Sequence, residues 1–218
     1  MLKLKILVGS TREGRAADSV VRWVARNAEA RGTFAVEVLD LRDWNLPMFA
    51  ETIHTVGDFH HPTYSQPLIR RWNDAIRDAD AVLIVTPEYN HSIPAVLKNA
   101  LDSLFFSFAL RHKPAGLVGY SAGPVGGARS IEHLAQVLIE AEAVPLRSTV
   151  LVPAVHNAFV DTGEPANPAM GGALEVLLED LGWWAGVLAD ARPSSLPPAV
   201  FRMNARQQQQ QQQARAAS

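Results

Sequence analysis

The sequence predicts an α/β domain in three layers, with five parallel strands in the order 2-1-3-4-5 and helices on both faces of the sheet. Short β-branched or aliphatic runs alternate with longer segments of helical period, the pattern left by successive βα units. One such run, Ala81-Val82-Leu83-Ile84-Val85, is apolar on both faces, as a strand in the middle of a parallel sheet must be. The patterned part covers about 190 of the 218 residues, which suits one core and leaves little room for two.

The first strand is expected over 3–9. A helix over 16–31 follows, with Val20, Val21, Val24 and Ala28 at helical spacing until Gly32 stops it. The second strand is expected over 34–41. The stretch 42–66 carries Pro47, Pro62, Gly57 and three histidines, and reads as one long irregular segment of the functional or interface kind. A helix over 68–77 leads into the central strand, 81–85. Pro94 suits the first turn of the next helix, expected over 95–109. Strand four is expected over 115–120, a helix over 125–143, strand five over 146–152 and a last helix over 172–188. Residues 1–190 thus form the expected domain. Residues 191–218, with Pro193, Pro197, Pro198 and the run Gln207 to Gln213, are expected to be a disordered low-complexity tail, at most partly helical and without chemistry.

Composition removes whole classes of function. A net charge of -2 gives no broad positive field for a polynucleotide. The absence of cysteine excludes disulfides, thiol redox chemistry, iron–sulfur clusters and thiolate zinc sites, so any redox chemistry must come from an organic cofactor. His54, His60 and His61 lack the helical spacing of a metal site and read as loop residues. The N-terminal residues run straight into a strand, and no apolar run approaches the roughly 18 residues that span a bilayer. A cytoplasmic location without membrane contact is the expectation.

Ligands of open parallel sheets sit beyond the carboxyl ends of the strands, where the strand order reverses. Three loops fall there. In Gly9-Ser10-Thr11-Arg12-Glu13-Gly14-Arg15, the hydroxyls of Ser10 and Thr11, the guanidinium groups of Arg12 and Arg15 and the N–H groups at a helix start suit a phosphate monoester. A plain βα turn is the alternative reading of that segment alone. In Thr86-Pro87-Glu88-Tyr89-Asn90-His91-Ser92-Ile93-Pro94, two prolines are expected to hold the N–H groups from Glu88 to Ile93 as a rigid array beside a flat heterocycle. In Ser121-Ala122-Gly123-Pro124-Val125-Gly126-Gly127, the glycines would let backbone approach a ligand closely.

At these residues the chain resembles the NADPH-dependent FMN reductase family of flavodoxin-like flavin and quinone reductases. The resemblance rests on Gly9-Ser10-Thr11-Arg12, on 87–94 with Leu97-Lys98-Asn99-Ala100-Leu101-Asp102, and on Gly119-Tyr120-Ser121 with its glycine loop; Leu46-Pro47-Met48-Phe49 adds to it. It implies a flavodoxin-like fold with FMN held by Ser10, Thr11, Arg12 and Arg15 at the phosphate. Pro87, Glu88, Tyr89, Asn90 and Ser92 would lie along the ring, and Ser121, Ala122, Gly123 and Gly126 on its remaining edge. Many relatives carry a serine and an asparagine where this chain has Ala16 and Ala17, which would shift phosphate contact toward Arg15 and the backbone. The resemblance further implies a homodimer or homotetramer through the helix after Pro94. It implies hydride passing by turns from NADPH or NADH to flavin N5 and on to a small-molecule acceptor, with no catalytic side chain and no metal. Arg12, Arg15, Arg111 and Arg129 are the candidates for a nucleotide 2′-phosphate, and His91 is a loop spacer or, alternatively, a proton donor to the acceptor.

Two other classes compete. A phospho-acceptor signalling domain would need carboxylates where Gly9-Ser10 and Thr86-Pro87 stand. A passive FMN-binding electron carrier would use the same crevice, although such carriers tend to be strongly acidic.

Overall fold

A computed structural model describes residues 1–58 and 61–216. The five strands are β1 (Leu2–Val8), β2 (Phe34–Asp40), β3 (Ala81–Pro87), β4 (Pro114–Tyr120) and β5 (Val144–Val152), all parallel, in the expected order 2-1-3-4-5. The helices are α1 (Ala17–Ala30), α2 (Leu41–Trp44), α3 (Pro67–Arg77), α4 (Ala95–Asp102), α5 (Ala128–Glu140), α6 (Pro168–Ala191) and α7 (Ala199–Ala216).

The period-two alternation of the central strand sorts the core into two layers. Leu83 and Val85 face α1 and α6, packing with Val20, Val24, Leu174, Leu177 and Leu181. Val82 and Ile84 face the opposite layer, with Trp72 and Ile76 of α3, Leu97 and Leu101 of α4 and Leu134 and Leu138 of α5. Trp72 is fully buried and donates its indole N–H to the Ala100 carbonyl at 2.8 Å, which locks α3 to α4. The register aligns the carboxyl ends: Val8 lies opposite Val85, Pro87 opposite Tyr120, and Tyr120 opposite Val152. The loops that follow these strands are therefore neighbours.

Several boundaries differ from expectation, three of them at helix ends with a clear local reason. The helix after Pro94 stops at Asp102 instead of continuing to 109, because Asn73 takes the Ser103 carbonyl at 2.8 Å and Phe108 adopts a left-handed conformation. Helix α5 begins at Ala128 instead of 125, because Gly126 and Gly127 have positive φ. Helix α6 begins earlier than expected: Asn167 caps it by accepting the Ala169 N–H at 3.0 Å and Pro168 occupies its first turn. The long stretch after β2 is less irregular than expected. It opens with α2, capped by Asp40, and carries Val56 and Tyr64 into a small satellite core with Ile69. Within the segment expected as a tail, α7 forms a helix that meets the domain where Phe201 packs edge-on against Phe108, at 5.7 Å between ring centroids. Among the described residues no helix is long and apolar enough to cross a membrane.

Candidate functional site

The loops after β1, β3 and β4 do meet. They border a cavity of about 290 Å³ lined by Arg12, Glu13, Gly14, Arg15 and Ala16 from the first, Pro87, Glu88 and Tyr89 from the second, and Tyr120, Ser121 and Ala122 from the third. Val155 and His156, just past β5, close the fourth side. The sequence reading missed both, although their position after the fifth strand end was the available signal.

The first loop presents donors. No protein acceptor is found among the described residues for the backbone N–H groups of Thr11, Arg12, Glu13 and Gly14. Arg12 is exposed, has no carboxylate partner among the described residues, and lays its guanidinium 3.6 Å from the centre of the Tyr89 ring. Ser10 is buried, with its hydroxyl 2.9 Å from the Tyr89 hydroxyl. Arg15, expected at the phosphate, is engaged elsewhere. Its side chain is 5% exposed and forked onto Asp40, with further bonds to Asp18 and the Ser10 carbonyl. The Asp40 hydrogen bond leads in raising the Arg15 pKa. Burial pushes the Asp40 carboxyl up, but Arg15 and the Arg42 N–H outweigh it and hold that carboxyl below its ordinary value. Arg15 thus ties the loop to the end of β2.

The second loop is stiffer than two prolines alone would make it. Tyr89 and Ser92 exchange both backbone hydrogen bonds, at 2.9 and 3.0 Å, around Asn90 and His91, which have φ of 49° and 66°. Positive φ at both central residues is a type I′ turn. This corrects the expected donor array: the N–H groups of Glu88, Tyr89 and Ser92 are engaged by Tyr120, Ser92 and Tyr89, leaving those of Asn90, His91 and Ile93. The Glu88 carboxylate is also engaged. Its side chain is 5% exposed and takes Arg129 of α5 at Nε, 2.6 Å away, and at the backbone N–H. Arg129 Nη1 stands 3.1 Å from His91 Nε2. A guanidinium only donates, so Nε2 accepts, which suits a loop brace better than a proton donor. His133 reaches the Ser92 hydroxyl at 3.0 Å.

In the third loop the glycines serve packing more than ligand approach. A Cβ on Gly127 would come within 2.5 Å of the Tyr120 nitrogen, and one on Gly126 within 3.0 Å of the Pro153 nitrogen. Gly126, expected beside the ligand, therefore lies against β5. Gly123 has open space around it.

One polar atom in the site is unsatisfied. The Tyr120 hydroxyl is buried without a hydrogen-bond partner among the described residues, and its side chain lines the cavity. Burial raises its pKa well above the ordinary phenol value, so it is a neutral donor. Of the four arginines weighed for a second phosphate, Arg111 pairs with Glu142 at the opposite end of the sheet, Arg15 with Asp40 and Arg129 with Glu88, which leaves Arg12. No group of three or more potential metal ligands comes together among the described residues; His60 lies outside them.

Comparison with known proteins points to one family. A family model described as NADPH-dependent FMN reductase matches residues 2–157. An NAD(P)H-dependent FMN reductase of Pseudomonas aeruginosa is 33% identical over 153 residues, covering 69% of this chain and 78% of that relative. A quinone reductase of Escherichia coli is 34% identical over 167 residues, covering 75% and 84%. The solved structure of FerB, a flavoenzyme NAD(P)H:(acceptor) oxidoreductase of Paracoccus denitrificans, shares the fold at a TM-score of 0.68 and 24% identity, over 85% of this chain and 98% of that one.

Proposed function

The chain belongs to the NADPH-dependent FMN reductase family, and from that premise we propose that it is an oxidoreductase that holds FMN in the crevice between its strand-end loops. It would pass electrons from NADPH or NADH to a small acceptor, a quinone or a free flavin. The observation that carries this reading is the convergence of three loops on one cavity with unengaged donors of the right kind. The residues present fit FMN: free N–H groups of Thr11 to Gly14 and the unpaired Arg12 match a phosphate, and the orphaned Tyr120 hydroxyl is a donor waiting for an acceptor from outside the chain. Thr11 and Arg12 would hold the phosphate, while Ser10 sets Tyr89 beneath Arg12. Asn90, Ser92, Ser121 and Ala122 would border the ring, on a loop that Arg129 and His133 brace from α5. Arg15 would act by positioning.

Bound FMN supplies the chemistry, two-electron transfer in alternation between nicotinamide and acceptor. The chain's own groups bind and orient; none of them is asked for covalent or acid–base work. Subunit association through α4 is part of the same proposal. Val96 and Phe105, 39% and 53% exposed on and just past that helix, support it, as does an apolar groove of about 170 Å³ bordered by Leu101, Phe105 and Phe108.

The test is a visible spectrum of the FMN-loaded protein under anaerobic conditions. NADPH or NADH should bleach the flavin, and a quinone or free flavin should restore it within one turnover. A protein that takes up FMN but is not reduced by either nucleotide would be a passive carrier. One that refuses FMN would overturn the proposal altogether.

A further inference from the structure

A second cavity, of about 340 Å³, lies between the loop after β1, the segment after β2 and the start of α4, and shares no lining residue with the first. Its volume is in the range of small-molecule sites, and the FMN reading leaves it unused. Thr11 of the phosphate loop forms one wall. Ala95 and Val96, which follow directly on the ring loop at Pro94, form another, so a ligand here would stand next to the flavin proposed above.

One guanidinium and no carboxylate line this cavity. Arg42 donates from Nη2 to the Arg12 carbonyl, which ties the side chain to the first loop, while its Nε and Nη1 have no partner among the described residues. Asp40, two residues before it, accepts the Arg42 backbone N–H, but its carboxylate is held by the Arg15 side chain. The Asn45 amide, also in the lining, has no partner among the described residues. The remaining walls are apolar and uncovered: Met48 and Val96 are 76% and 39% exposed. Asn99, buried under them, accepts the Phe49 N–H at 2.8 Å and donates to the Pro47 carbonyl at 2.9 Å, which fixes the segment that carries Met48 against α4. One anchored cation among apolar walls suits a flat aromatic body with a single acid group, because a guanidinium forks onto a carboxylate or sulfonate.

We infer that this cavity selects planar aromatic acceptors that carry an acid group, such as a quinone sulfonate or carboxylate, and that Arg42 is the residue that sets this specificity. The inference rests on the FMN reading and deepens it. A quinone seated here takes a hydride that NADPH or NADH supplies by way of the flavin and a proton from solvent. Its two carbonyls become hydroxyls and the nicotinamide is oxidised.

The test compares 1,4-naphthoquinone with 1,4-naphthoquinone-2-sulfonate as acceptors for the FMN-loaded full chain, and measures binding of the redox-inert naphthalene-2-sulfonate by calorimetry. Arg42→Ala should raise the KM for the sulfonated quinone about tenfold and move that for the neutral quinone less than about twofold, with the Kd for naphthalene-2-sulfonate rising in step. Arg42→Lys, which keeps the charge and loses the fork, should fall between wild type and Arg42→Ala for both ligands. An Arg42→Ala variant that weakens both quinones alike or neither would overturn the inference. So would naphthalene-2-sulfonate displaced by FMN, or a change of oligomeric state in gel filtration, which would give the cavity to the flavin or to a subunit contact. Failure of the FMN reading shows separately, as a chain that takes up no FMN; calorimetry with naphthalene-2-sulfonate on that apoprotein still reads the Arg42 site.

Discussion

Tyr120 keeps a polar atom where the apoprotein has no use for it. A buried hydroxyl without a partner costs roughly 1–3 kcal/mol, and a phenylalanine of the same shape would remove that cost. Tyr120→Phe should therefore raise apoprotein stability in urea unfolding by about 1 kcal/mol while raising the Kd for FMN about fivefold to tenfold. Higher stability with unchanged Kd would take the hydroxyl out of the site. The two arginines of the first loop divide in the opposite sense. Arg12, over the Tyr89 ring and without an anion, should lose FMN affinity by roughly tenfold or more on change to alanine, with less than about 1 kcal/mol of stability. Arg15→Ala strips a partly buried carboxylate, Asp40, of its main partner and should cost about 1–2 kcal/mol of stability, seen in the same unfolding measurement. Residue types in the Gly9-to-Arg15 segment announced an anion site. Which arginine was free was not legible, because the partner that decides it, Asp40, is 25 residues from Arg15 in sequence and meets it only after β1 and β2 pair.

Elements were most legible where one short-range rule governs them. The central strand follows from a run apolar on both faces, and the sheet has the expected order 2-1-3-4-5. Helix ends were misjudged where a long-range bond or a left-handed residue stops the chain, as at Ser103 and at Gly126-Gly127. The β3 loop shows the same limit: its prolines were visible, but the type I′ turn at Asn90-His91 that engages the N–H groups of Tyr89 and Ser92 was not. Helix α3 ends on a further device of this kind. Lys113, 4% exposed at the start of β4, donates to the Ile76 and Arg77 carbonyls at 2.6 and 2.8 Å. Burial lowers its pKa to about 7, below the ordinary lysine value that the unfolded chain would show. Between about pH 7 and 10 the unfolded chain then binds more protons, so stability should rise with pH across that window and level off outside it. The slope should stay below about 1.4 kcal/mol per pH unit, because the two carbonyls at the helix C-terminus favour the charged form. Lys113→Met should flatten that part of the profile, and a profile unchanged by the substitution would show that the lysine titrates normally.

Across the whole molecule, the two ends of the sheet have different work. The carboxyl ends carry the cavity between the strand-end loops and the unengaged donors. The amino ends are closed by ion pairs, Lys3 and Lys5 with Asp78, Lys5 with Glu37, Arg111 with Glu142 and Arg192 with Asp80, the last joining the end of α6 to the turn before β3. The C-terminal segment leaves the domain at this closed end, and Phe201 on Phe108 is the aromatic contact that α7 makes with it. A chain removed there uncovers little apolar surface and stands apart from the strand-end loops, so neither stability nor ligand binding should depend on it. A protein ending at Ser195, which keeps the Arg192 pair with Asp80, should unfold within about 1 kcal/mol of the full chain and bind FMN with a Kd within about twofold. The glutamine run makes this a test of coupling as well as of packing. If truncation at Ser195 changes flavin affinity by tenfold or more, the closed end and the open end of the sheet communicate, and the separation of roles read from the ion pairs and cavities is wrong.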